Sequence, residues 1–266
     1  MENKAVTPVD EKALEESSLC KKIITVASQK GGSGKTTTVL ALAQYAVKNG
    51  LKVLCIDLDA QRNLTQALDS QSLANSVYML IEEESPLEKC IEHTGQGIDL
   101  IRGSFEISSI MTSNGSGRRL SKALDGVLDS YDLVLIDTPP SVGEIQFNAL
   151  RASTDLVIVI GPSLFDLQGM YLLIDIAKAI QKKGNPDLKI TGYILTNFDG
   201  RSKLARKLEE DIDKQASSEG VSKLGTVRQA VAVRESQSFG KSLFDYAPKS
   251  KVASDYKAVF ENLMSK

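Results

Sequence analysis

Apolar positions in this chain fall in short, nearly continuous runs rather than in strict alternation. They are Ile23-Ile24-Thr25-Val26-Ala27, Lys52-Val53-Leu54-Cys55-Ile56-Asp57, Asp132-Leu133-Val134-Leu135-Ile136-Asp137, Leu156-Val157-Ile158-Val159-Ile160 and the stretch from Ile190 to Thr196. Runs of that kind suit strands covered on both faces. A further short strand is predicted around Leu224-Gly225-Thr226-Val227. Between the runs the spacing turns helical: from Val39 to Asn49-Gly50, from Asp166 to Lys183, and from Lys203 to Ser217. The last helix, Ser250 to Met264, sets Val252, Tyr256, Val259, Phe260 and Leu263 on one stripe, which predicts core packing. Strands alternating with helices predict an α/β fold, a single doubly wound, mostly parallel sheet with helices on both faces.

Residues 64–130 carry the weakest pattern. A helix is predicted after Asn63, a short strand at Asp99-Leu100-Ile101-Arg102, a flexible polar loop at 113–117 and a helix from Arg118 to Leu128. Glu82-Glu83-Glu84 reads as a solvated acidic turn, and His93 as a surface residue without ligand partners. Residues 1–21 read as a mobile polar extension with a short helix around 11–15, leaving 22–266 as one domain.

The candidate chemistry begins at Ser28-Gln29-Lys30-Gly31-Gly32-Ser33-Gly34-Lys35-Thr36-Thr37-Thr38, between a predicted strand and a predicted helix. That is the context a phosphate-cradling loop needs. Glycines tolerate positive φ and let the backbone approach an anion closely. Amides of the loop and first helical turn then face the phosphates, aided by the helix dipole. Lys35 adds a point charge, and the Thr36 hydroxyl is placed to ligate Mg2+. Two further polar groups stand where open α/β sheets bind ligands, at carboxyl ends of strands. One is Asp57-Leu58-Asp59-Ala60-Gln61-Arg62-Asn63, whose aspartates the upstream loop marks as candidates for catalysis, capping of the next helix being the alternative. The other is Asp137-Thr138-Pro139-Pro140-Ser141, an apolar strand ending in a carboxylate suited to holding magnesium.

The loop departs from the general pattern: Gln29 stands where the general form has its first glycine, and a lysine, Lys30, follows it. Lys-Gly-Gly-x-Gly-Lys-Thr resembles the deviant Walker A box of the ParA/MinD family of ATPases. The likeness extends over about residues 22–264, with Asp57 to Asn63 similar to the family's Asp-x-Asp-Pro-Gln-Gly-Asn and Asp-Thr-Pro-Pro similar to its switch II. It implies a Mg2+-dependent ATPase in which Lys30 contacts the phosphates of a partner subunit across an ATP-bound homodimer. It further implies that Asp59 orients the attacking water near the metal, and that Asp137 and Thr36 hold the metal. Asn197 would contact adenine, although an Asx turn explains that residue nearly as well. Arg228 stands where the family has the proline that walls the purine, which leaves base selectivity open.

Within that family the resemblance points to the partition branch. It implies non-specific DNA binding through Arg201, Arg234 and Lys241, hydrolysis stimulated by a ParB-like centromere-binding partner, and a cytoplasmic, nucleoid-associated location. A MinD-like regulator at the membrane is the alternative, but residues 260–266 carry little of the positive charge a lipid-binding helix uses. A small-molecule amide or carboxylate ligase on the same loop, or a DNA-binding module holding nucleotide as a structural ligand, is a further possibility.

Composition narrows these classes only in part. The 266 residues, 42% hydrophobic and 25% charged, suit one sizeable globular domain. No run approaches the roughly 18 apolar residues of a membrane span, and the polar, acidic first residues do not read as a secretory signal. Three cysteines, Cys20, Cys55 and Cys90, are too few and too scattered for a disulfide framework or an iron–sulfur site. Residues 178–266 carry 17 Lys+Arg against 11 Asp+Glu, while residues 1–177 carry 15 against 23. That asymmetry permits an anionic partner for the last third.

Overall fold

In a computed structural model of the chain, described over residues 21–70, 75–112 and 116–266, one eight-stranded sheet organises the molecule. Its elements are β1 (Lys22–Ala27), α1 (Lys35–Lys48), β2 (Val53–Asp57), α2 (Asn63–Ala67), α3 (Val77–Glu82), α4 (Leu87–Cys90), β3 (Ile91–His93) and β4 (Asp99–Ile101). There follow α5 (Arg119–Ala123), β5 (Leu133–Asp137), α6 (Glu144–Ala152), β6 (Asp155–Ile160), α7 (Leu164–Lys183) and β7 (Lys189–Phe198). The chain closes with α8 (Lys203–Ser218), β8 (Lys223–Arg228), α9 (Val231–Ser238), α10 (Leu243–Tyr246) and α11 (Lys251–Met264). Strand order is β3-β4-β2-β5-β1-β6-β7-β8, parallel throughout except for the β3–β4 pair.

The continuous apolar runs are explained by what covers them. Side chains alternate across a strand, so Ile24, Val26, Cys55 and Leu135 pack under α1 and α11 on one face. Their neighbours Leu54, Ile56, Val134 and Ile136 meet α3, α5 and α6 on the other. Ile158, Ile160, Tyr193 and Leu195 continue that second face beneath α7 and α8. Each buried Leu or Ile adds about 1.5–3 kcal/mol over its exposed state, so both faces contribute and neither strand face can turn polar. The stripe on α11 is fully spent in this way, with Val252, Tyr256, Val259, Phe260 and Leu263 buried. Among the described residues, no helix is long and apolar enough to cross a membrane.

Where the pattern misled, the cause is local. The helix expected from Arg118 to Leu128 stops at Ala123, because Gly126 adopts a φ of 71° and the chain continues as a 3-10 turn at Val127–Asp129. Helices α6 and α9 went unread between clearer neighbours. Glu82 is not a free acidic side chain, since it ends α3 and bonds Arg119. His93 is exposed as expected, yet it lies on β3 with Nδ1 at 2.5 Å from Asp99 Oδ1. The helix expected around 11–15 and the core of the loop at 113–117 lie outside the described residues.

Candidate active site

β1 sits between β5 and β6, where the chain's direction across the sheet reverses, so its carboxyl end opens a crevice. The loop from Ser28 to Gly34 fills that crevice and passes directly into α1, whose first bond runs from Thr38 N–H to Gly34 O at 2.8 Å. Gly32 and Gly34 take φ of 74° and 93°, the left-handed region that favours glycine. Thr196, at the end of β7, ties the loop to β6 by sharing its single Oγ1–H between the carbonyls of Ser33 and Ile160. Nothing in the sequence marked that threonine, because its partners are 163 and 36 residues away.

The acidic groups divide by role. Asp57 Oδ2 accepts from Thr65 N–H at 2.9 Å and Thr65 Oγ1 at 2.7 Å, and its Oδ1 accepts from Asp59 N–H at 3.1 Å. It therefore braces the turn and α2, as the helix-capping alternative anticipated. Asp59 lines the cleft, with Oδ1 accepting from Gln61 N–H at 2.9 Å. Asp137, at the end of β5, accepts from Thr36 Oγ1 at 2.6 Å. Its other oxygen, Oδ1, is buried without a partner among the described residues, as is Ser33 Oγ in the loop. Burial, and after it the charge of Asp57, pushes the Asp137 carboxyl up to about 8, against the pull of Thr36 and Lys35. Burial lowers Lys35 and raises Asp57 in the same way.

Such orphaned atoms fit a bound cation and its phosphate ligands. Among the described residues, no group of three or more His, Cys, Asp or Glu could hold a metal alone. Thr36 and Asp137 could supply two ligands to magnesium, which commonly completes its shell with water and substrate phosphates.

The two lysines of the loop behave differently. Lys35 is buried and donates to Lys30 O at 3.3 Å. Lys30 projects outward with 54% of its side chain exposed, and Nζ lies 3.3 Å from Asp166 Oδ2 and 3.5 Å from Ser163 Oγ on the N-terminal turn of α7. These α7 partners carried no signal in the sequence.

A cleft of about 760 Å³ runs from Gly31, Gly32, Gly34, Lys35, Thr36 and Thr37 past Asp59, Gln61 and Pro140 on one side. On the other side it reaches Asn197, Val227, Arg228, Gln229, Ala230, Arg234, Gln237 and Tyr256. Asn197 has a φ of 53° and donates from Nδ2 to Gly32 O at 3.3 Å, so it joins β7 to the loop as well as lining the cleft. Arg201 lies elsewhere, 93% exposed and forked onto Asp199 at 2.9 and 3.0 Å. Arg234 is on α9 at the cleft wall, and Lys241 is exposed just beyond α9. The three basic residues singled out for DNA thus do not share one element.

A glycine loop between a central parallel strand and a helix, a buried lysine over it, and a threonine bonded to a strand-end aspartate define a P-loop nucleoside triphosphatase. Comparison with known proteins narrows the class. A family model described as an AAA domain matches residues 21–190. The chromosome-partitioning ATPase Soj of Thermus thermophilus is 34% identical over 245 residues, covering 91% of this chain and 95% of Soj. Among solved structures, cobyrinic acid a,c-diamide synthase of Mycobacterium smegmatis with bound ADP and magnesium is 25% identical. It superposes with a TM-score of 0.74 over 91% of this chain and 93% of that one. A substituted McdA of Cyanothece in complex with ATP reaches a TM-score of 0.82 over 92% and 96% at 22% identity, a likeness of fold. The chain belongs to the ParA/Soj family of partition ATPases.

Proposed function

We propose that this protein is a DNA-partition ATPase that binds ATP with Mg2+, pairs with a second copy when ATP is bound, and coats DNA without regard to sequence. The observation that carries the reading is the bond from Thr36 to Asp137 beside the unmet Asp137 Oδ1 and Ser33 Oγ, under a buried Lys35. Loop amides and Lys35 bind and orient the triphosphate, with Thr36 and Asp137 holding the metal. Magnesium, when bound, neutralises phosphoryl charge. Asp59, on the cleft wall, orients the attacking water. Phosphoryl transfer asks for positioning and charge neutralisation more than covalent chemistry, which matches this set of residues.

Lys30 supplies the second cation, toward the partner copy's nucleotide, and its half-exposed side chain leaves it free to swing from Asp166. Arg201, Arg234 and Lys241 contact DNA phosphates, a salt-sensitive mode. A ParB-like partner stimulates hydrolysis and so releases the dimer from the nucleoid. The MinD-like alternative loses support from α11, whose apolar face is buried in the core rather than available to lipid.

Sedimentation with ATP, ADP or no nucleotide tests the switch. The expected result is a dimer with ATP alone, co-sedimenting with duplexes of unrelated sequence, and a Lys30→Ala variant that stays monomeric. One unchanged species under all three conditions refutes it.

A further inference from the structure

We infer that Gln146, on α6, is a positioning residue that couples the segment after Asp137 to the two lysines of the phosphate loop, acting through Gln29. The inference rests on the nucleotide reading above and extends it to how the two halves of that site are kept in step. The segment from Thr138 to Gly143 is pinned at its start, where the buried Thr138 donates from Oγ1 to Val26 O on β1 at 2.9 Å. Pro140 then lines the cleft, and Ser141 and Val142 are exposed. The far end runs into α6, where Gln146 is fully buried and accepts from Gln29 Nε2 at 3.3 Å. The segment that reaches the cleft is therefore tied at that end to the phosphate loop itself.

Gln29 is wedged as well as bonded. α7 passes so close that a Cβ on Gly169 would sit 3.0 Å from the Gln29 Cβ, while α6 reaches the same residue through Gln146. The next residue, Lys30, carries the contacts of both lysines. Its carbonyl accepts from Lys35 Nζ at 3.3 Å, and its own Nζ rests 3.3 Å from Asp166 Oδ2. A displacement of Gln29 thus moves the carbonyl that orients Lys35 and the backbone from which Lys30 projects. Groups that meet developing charge act only when held in place, and a misplacement of about 1 Å can lower a rate about a hundredfold.

The state of the Gln146 amide separates this role from plain packing. Its Nε2 is buried and has no partner among the described residues. A buried donor left unmet destabilises the fold, and such groups are rare enough to call for a reason. Methionine would fill nearly the same volume without that penalty. Local rules of packing are broken where a residue is needed for function, and this one stands where the phosphate loop, α6 and α7 meet. A single bond between Gln146 and Gln29, with a donor to spare, lets α6 and the loop shift together when the Pro140 segment meets a nucleotide. Coupling of that kind travels through contiguous side chains that join two elements.

Amide hydrogen exchange with and without a non-hydrolysable ATP analogue, beside single-turnover hydrolysis and thermal unfolding, tests the coupling. In the wild type the analogue is expected to slow exchange both in the loop at 30–38 and in α6. In Gln146→Met the loop should be slowed as before while α6 is not. That variant should bind the analogue within about twofold of wild type and hydrolyse ATP about tenfold more slowly. Its melting temperature should equal or exceed that of wild type, because the unmet amide is gone. Gln29→Met, at a half-buried position, should act the same way and keeps the test decisive should Gln146→Met fail to fold. The double variant should lose about tenfold, as either single one does, and not a hundredfold. Gly169→Ala, which raises helix propensity but crowds Gln29, should slow hydrolysis about threefold without lowering the melting temperature. A wild type whose α6 does not respond to the analogue, variants with wild-type exchange and turnover, or losses that simply add, overturns the inference. If the analogue neither binds the wild type nor slows exchange in its loop, the nucleotide reading itself falls, a result distinct from a failure of the coupling alone.

Discussion

At the phosphate end of the cleft Asp57, Asp137 and Lys35 are buried, and the loop is tied by Thr196, Asn197 and the Thr36–Asp137 bond. At the other end Arg228 and Gln229 are exposed, anchored by the ion pair of Arg228 to Asp255 on α11 and by the bond from Gln229 N–H to Phe198 O on β7. The first region takes two carboxyl groups and one ammonium out of water, a set that a bound cation would complete. The second leaves charge in solvent, where it costs little and can adapt to what binds. A reaction that develops charge on phosphoryl oxygens needs the first kind of environment. Recognition of a base or of a DNA backbone can use the second.

Mutations should separate the two regions by size of effect. The largest belongs to Lys35→Ala, expected to cut single-turnover ATP hydrolysis by about a thousandfold, as loss of a charge-stabilising group does. Near-wild-type turnover would show that the buried end is not where the reaction is driven. Asp137→Asn comes next, with opposite signs for activity and stability. The folded-state value of about 8 lies above the roughly 3.9 of an unfolded aspartate. The folded protein without nucleotide thus holds a proton that the unfolded chain releases, and stability declines as pH rises from about 4 through 8. The amide of the variant cannot ionise, so its advantage should grow over that same window. Thermal unfolding should show the variant gaining about 2 kcal/mol over wild type at pH 8 and little at pH 4, while Mg2+-dependent hydrolysis is lost.

Thr196→Val keeps the shape of the side chain and removes the hydroxyl shared between Ser33 O in the loop and Ile160 O at the end of β6. A cost of about 1–2 kcal/mol in stability is expected, with weaker nucleotide binding, and chemical denaturation beside calorimetry would measure both. The smallest structural effect belongs to Arg201→Glu, since that side chain is almost wholly exposed. Its melting temperature should match wild type, while binding to duplexes of any sequence weakens alike at low salt. Gel shifts unchanged from wild type would remove Arg201 from the DNA surface.

How much of this could be read from the chain follows the range of each interaction. Lys35, Thr36 and the glycines lie within one loop, so residue type and order suffice to recognise them. Asp137 was legible because an apolar strand ends on it. Asp57 and Asp59 share a strand end and a residue type, and only the bonds to Thr65 assign the first to bracing. Thr196, Asp166 and Asp255 were invisible because each meets its partner through folding rather than adjacency. Arg234 was read for DNA alone, whereas its helix also places it on the cleft wall.

Order along the chain was enough to specify every strand but the short edge strand β3, together with their covered faces and the phosphate loop, since apolar runs, helical spacing and glycine freedom are properties of neighbouring residues. Packing in three dimensions settled which carboxylate is left with an unmet oxygen, what holds Lys30, and which way Arg228 lies. Those depend on burial and on partners brought from distant strands and helices, and no local pattern encodes them.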